Sequence, residues 1–173
     1  MMTSLVVTLI GPDRPGIVSM VSERARGYGA NWAGSRLASL AGQFAGMVHF
    51  EVAAESAEPL ANALKSLESS GLSVVIVRSD AAPTTSRGRA LRLELVGNDR
   101  PGIVRDLSAN LAGRGVSIQE LSTEIVSAAM SAETLFKVKA LLVVPNTLPD
   151  EELRRALESL ANEMMVDLAV GEG

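Results

Sequence analysis

Eight residues, Gly11-Pro12-Asp13-Arg14-Pro15-Gly16-Ile17-Val18, return 86 positions later as Gly97-Asn98-Asp99-Arg100-Pro101-Gly102-Ile103-Val104, seven of the eight identical. Each copy stands between an apolar run and an amphipathic stretch, so one supersecondary unit is used twice. The copied segment is itself a turn, and binding groups gather on turns held by a rigid scaffold. The repeat therefore constrains both the architecture and the place of function.

It divides the 173 residues into two domains, expected at 1–80 and 89–173, with 81–88 as a linker that carries Pro83, Thr84, Thr85 and Ser86. Units of that size bury only about 60 to 65% of the surface that their unfolded chains expose. The halves are therefore expected to pack on each other or on a second chain. Hydrophobic residues make up 47% of the chain and aromatic ones 3%, so the core is aliphatic. A net charge of −4 with no basic run argues against direct nucleic-acid binding, which needs clustered Lys and Arg. The absence of cysteine excludes disulfides, thiolate nucleophiles and cysteine metal sites. The apolar run Leu5 to Ile10 is too short to span a membrane and follows no basic leader. A soluble, cytoplasmic protein without a signal peptide is expected.

Along the chain, Leu5 to Ile10 reads as a strand that ends at Gly11-Pro12-Asp13. Pro15 suits the first helical position, where its missing N–H costs nothing. Ile17, Val18, Val21 and Ala25 give the stripe of a helix with one buried face, which stops at Gly27-Tyr28-Gly29. Leu91, Leu93 and Leu95, then Ile103, Val104, Leu107 and Leu111, then Gly113-Arg114-Gly115 repeat that order. Asn31 to Leu40 and Gln43 to Val52 read as strands around an Ala41-Gly42 turn. Val116 to Val126 and Thr134 to Val144 fill the same places, with Phe136 as the counterpart of Phe50 at the common offset of 86. Second helices carry Leu60, Leu64 and Leu67, and Leu153, Leu157 and Leu160. Leu72 to Val77 and Met165 to Val170 are the closing strands. Each half is thus β-α-β-β-α-β, the ferredoxin-like α+β order: a four-stranded antiparallel sheet with both helices on one face.

No P-loop, dinucleotide fingerprint or Gly-x-Ser-x-Gly elbow is present, and the one His, His49, alternates with Phe50 on a strand. No catalytic residue, metal site or cofactor is expected. His49 reads as an interface or solvated residue, Trp32 as packing, and Arg87, Arg89 and Arg92 as a solvated linker edge. The first strand of the second half lacks the exposed aromatics of an RNA-stacking sheet. The turns remain as candidate sites. N–H groups at a helix start attract a carboxylate, and Gly16 and Gly102 let a ligand approach the backbone. The same Pro-Gly also simply enforces a turn. Arg14 and Arg100 suit a carboxylate fork, although turn arginines beside an Asp more often form a local ion pair or point into water.

With Asp-Arg-Pro-Gly-Ile-Val after the first strand of two β-α-β-β-α-β units, the chain resembles a pair of ACT domains, small modules that bind amino acids or similar metabolites. More narrowly it looks like the tandem-ACT family of the glycine cleavage system transcriptional repressor. Ser35-Arg36-Leu37-Ala38, Gly42 to Met47 and Met130 to Phe136 are similar to that family's strands and strand connection. The resemblance implies a non-enzymatic sensor of a small amino acid, glycine first, that contacts a DNA-binding activator protein rather than DNA.

It also implies ligand contacts from the turn residue before Arg-Pro-Gly and from an Asn opening the second strand. These are Asp13 and Asn31 in the first half, Asp99 and Ser117 in the second. An Asp there would pair with the ligand's ammonium and repel its carboxylate. The candidate ligand-binding set is Pro12, Asp13, Arg14, Gly16, Ile17 and Asn31, with Asn98, Asp99, Gly102, Ile103 and Ser117. A homodimer is expected, by side-by-side pairing of Pro15 to Tyr28 with Asn31 to Leu40 or of their second-half counterparts. The alternatives are a ligand-independent interaction or assembly module, and a detached regulatory subunit of an amino-acid biosynthetic enzyme.

Overall fold

A computed structural model describes residues 1–79 and 87–173. It divides into two compact units, Met1–Pro83 and Thr84–Gly173. Residues 81–86 of the expected linker lie outside the described residues.

The first unit runs β1 (Met2–Pro12), α1 (Ile17–Gly27), β2 (Asn31–Leu40), β3 (Gln43–Ala53), α2 (Ala54–Lys65), a 3-10 turn (Ser66–Ser70) and β4 (Ser73–Ser79). The second runs β5 (Arg89–Asn98), α3 (Ile103–Ala112), β6 (Ser117–Ser127), β7 (Thr134–Val144), α4 (Asp150–Met164) and β8 (Val166–Glu172). Each unit has one antiparallel four-stranded sheet, in the orders β2-β3-β1-β4 and β6-β7-β5-β8. Both are ferredoxin-like α+β folds, as the residue pattern predicts.

The strand period of two sends alternate side chains to opposite faces. Leu5, Val7 and Leu9 of β1 and Val48, Phe50 and Val52 of β3 turn inward and are buried. They meet Ile17, Val21 and Ala25 of α1 and Ala57, Leu60 and Leu64 of α2, whose spacing puts each set on one helical face. Trp32 packs edge-on against Phe50, ring centroids 5.2 Å apart. The second core repeats this with Leu93, Leu95, Ile103, Leu107, Leu142 and Leu157.

Four expectations need correction. Val18 and Val104 lie one residue round from the buried stripe and stand 45% and 37% exposed. Helix α1 starts at Ile17, not Pro15, because Gly16 adopts φ 92° and turns the chain into the helix; Gly102 does the same at φ 95°. Phe136 is not the counterpart of Phe50. Gly97 lies opposite Phe136 as Gly11 lies opposite Phe44, and Leu91 lies opposite Leu142 as Leu5 lies opposite Phe50. The longer β6–β7 connection shifts the offset of the third strand, so Phe136 matches Phe44 and Leu142 matches Phe50. Finally, Arg89 is no solvated edge: it bonds Asp150 at 2.8 Å and the carbonyls of Pro145 and Leu148 at 3.2 and 2.7 Å, fastening the start of α4.

Candidate functional site at the first strand-to-helix turn

Pro12 ends β1, Asp13 and Arg14 form the turn, and Gly16 and Ile17 open α1. The Asp13 N–H donates to the Gly42 carbonyl at 2.9 Å, tying the turn to the β2–β3 hairpin. The Ser39 hydroxyl donates to Asp13 Oδ2 at 2.7 Å. The Arg14 guanidinium donates to the Ser70 carbonyl at 2.8 Å, so it braces the turn against the 3-10 segment and forms no pair with Asp13. Behind that segment, Glu68 is held below the usual carboxylate range, first by the Lys65 ammonium and then by the Val74 N–H.

The first helical bond of α1 runs from the Met20 N–H to the Gly16 carbonyl at 2.9 Å, and no side chain caps the helix. The N–H groups of Ile17, Val18 and Ser19 therefore lie outside the helical ladder, at its positive end. The same three residues, with Asp13, Arg14, Gly16 and Phe44, line a cleft of about 220 Å³. The exposed lining of this cleft is mostly apolar, with Phe44 in it and with Asp13 and the start of α1 among the residues around it.

The second unit reproduces the backbone but not the chemistry. Asn98 ends β5, the Asp99 N–H donates to the Thr134 carbonyl at 2.9 Å, and Gly102 and the buried Ile103 open α3. Ile125, opposite Phe136, occupies the register position that Ser39 holds opposite Phe44. Asp106 sits in the first turn of α3, where α1 has no acid. Its carboxylate, paired with Arg105 at 2.8 Å, occupies the positive end that a bound anion would need.

Asn31 and Ser117 are not brought to the turns of their own units. Asn31 pairs with Glu51, which lies opposite Ser4, whereas the turn follows Pro12. At ~3.4 Å per strand residue that separation is about 27 Å. Ser117 pairs with Val143, which lies opposite Ala90, at the matching far end. Ser39 is the partner of the candidate turn that the sequence pattern did not disclose, through its bond to Asp13. Its only signal is the two-residue Ala41-Gly42 turn, which fixes Ser39 opposite Phe44 and so beside the start of α1. Ser39→Ala is expected to free the Asp13 carboxylate and weaken amino-acid binding about fivefold by calorimetry, the worth of one hydrogen bond of ~1 kcal/mol.

A larger cleft of about 490 Å³ in the second unit lies among Arg89, Asp150, Leu153, Arg154 and Glu172. Its best-placed cation, Arg89, is engaged by Asp150 and two carbonyls. Among the described residues, no group of three His, Cys, Asp or Glu could hold a metal ion, and no helix is long and apolar enough to cross a membrane.

Each unit is a β-α-β-β-α-β module with a left-handed glycine at its first strand-to-helix turn. The first unit is an ACT domain: that family's sequence model matches residues 3–76. The crystal structure of an unknown protein from Galdieria sulphuraria is 32% identical, covers 100% of this chain and 99% of its own, and superposes with a TM-score of 0.88. A structure described as a "putative glycine cleavage system transcriptional repressor" is 19% identical, covers 99% of this chain and 97% of its own, and has a TM-score of 0.73. That likeness is one of fold. No curated protein matches the chain.

Proposed function

We propose that this protein is a non-catalytic regulator that senses a small amino acid in its first ACT domain. It passes the signal to a DNA-binding protein, in the manner of a glycine cleavage system transcriptional repressor. The observation that carries this reading is the cleft at the start of α1. Its volume of about 220 Å³ is below the ~300–1,000 Å³ of sites for drug-sized ligands, which suits glycine or another short side chain. The ligand's carboxylate lies on the N–H groups of Ile17 to Ser19 and its ammonium on Asp13, while Phe44 and Val18 limit the side chain.

The second domain serves as a structural copy, since Ile125 and Asp106 replace a hydroxyl and a neutral helix start. Asn98, Asp99, Gly102 and Ile103 then shape that turn without holding ligand. Asn31 and Ser117, at the far sheet ends, contribute only to a turn supplied by another molecule. The acting form is a homodimer.

A melting screen of the full chain against the common amino acids tests the sensing role. Glycine, alanine or serine is expected to raise the melting temperature by several degrees at a hundredfold excess over its dissociation constant, where linkage supplies ~2.7 kcal/mol. A screen in which no amino acid moves the transition favours the ligand-independent assembly module.

A further inference from the structure

The two units differ most on the sheet face that carries no helices. In the first unit that face presents Val6, Ile10, Leu40, Met47, Val75 and Val77; all but Val6, which is half-buried, stand 46 to 78% exposed. The same rungs of the second sheet carry other chemistry. Val6 and Val77 correspond to Arg92 and Gly171, and the cross-strand pair Thr8 and Met47 to Glu94 and Lys139. Ala45 and Ala38 correspond to Lys137 and Glu124. The second sheet thus carries charged groups at positions where the first carries apolar ones. Two copies of one unit that began alike have diverged, and the first has an apolar patch of the kind that marks an interface.

We propose that this face of the first sheet is where two copies of the chain pair, sheet on sheet. Three observations select a second copy as the occupant. First, the face spans four strands and the rungs from Ser4 to Ile10, roughly 20 Å by 20 Å at standard strand spacings. With its relief that is roughly 600 Å² of accessible surface per copy, or about 1,200 Å² in all, the lower bound for a stable specific pair. Second, a twisted sheet is matched in shape by one of equal twist, and stacked sheets align near −30° with their side chains interdigitated. Third, its charges are self-complementary. Arg36, on the edge strand beside Met47, and Glu51, at the Ser4 end, give one charge of each sign, and His49 between them is hydrogen-bonded to Ser4 at 3.0 Å. An isologous contact between such faces brings no net repulsion. Pairing through this face takes the place of the side-by-side α1–β2 pairing expected from the sequence, and it leaves open the cleft at Asp13, on the helix side of the sheet.

Analytical ultracentrifugation of the full chain tests the proposal. Wild type is expected to sediment at twice the 18.1 kDa chain mass at micromolar concentration. The double variant Thr8→Glu/Met47→Lys copies the Glu94–Lys139 pair of the second sheet. It is expected to keep the wild-type circular dichroism and to raise the dimer dissociation constant at least a hundredfold. Val75→Thr/Val77→Thr keeps the β-branched strand and is expected to raise it at least tenfold, so the proposal stays testable even if the first variant misfolds. A wild type that is monomeric at 100 micromolar overturns the proposal. So does a folded Thr8→Glu/Met47→Lys protein, or a Val75→Thr/Val77→Thr protein, that dimerises as wild type does.

Discussion

Gly46→Ala is expected to destabilise the first unit by about 3 kcal/mol, the upper end of ordinary overpacking. A Cβ at Gly46 would stand 2.0 Å from the Arg36 carbonyl oxygen and 2.7 Å from the Leu37 Cα. Both are backbone atoms of β2, so no side chain can swing away. Relief requires β2 to part from β3, and with it Ser39 to leave Asp13. The counterpart of Gly46 in the second sheet, opposite Leu95, is Val138. The close approach is therefore particular to β2 and not a demand of the fold. For a unit of about 80 residues, 3 kcal/mol lowers the melting temperature by roughly 15 °C. Calorimetric melts of the variant measure this; a shift of only a few degrees would mean that β2 can move out as β6 does.

Asp13→Asn is expected to weaken amino-acid binding between about tenfold and a hundredfold, the worth of a charge-assisted hydrogen bond of ~1.5 to 3 kcal/mol. The substitution keeps an oxygen for the Ser39 hydroxyl, so the turn retains its shape, and it removes only the charge that would face the ammonium. Asp99→Asn is expected to leave affinity unchanged, because the second turn has Ile125 in place of Ser39 and Asp106 at its helix start. Equal losses from both variants would place ligand in both units.

Much of the architecture was readable from residue spacing. Leu5, Val7 and Leu9, or Ile17, Val21 and Ala25, carry their periods on the surface of the sequence, and all are buried. What escaped depends on register and on backbone angles. Phe50 and Phe136 share a fixed offset, yet the longer β6–β7 connection moves the third strand by several rungs. Pro15 looks like a helix start, but the left-handed Gly16 sets the boundary. The turn itself stood out because it was copied; its Ser39 partner did not, since serines are common and only the hairpin register puts this one beside Asp13. Nor did the run Leu5 to Ile10 show which of its apolar residues face outward. Alternation fixes two faces, and only the helices decide that Val6 and Ile10 belong to the uncovered one.

Titration calorimetry of the full chain with the amino acid that most raises its melting temperature tests the central claim most directly. One site per chain is expected, abolished or weakened at least tenfold by Asp13→Asn and untouched by Asp99→Asn. Two equal sites per chain, or a single site indifferent to Asp13→Asn, would contradict the account.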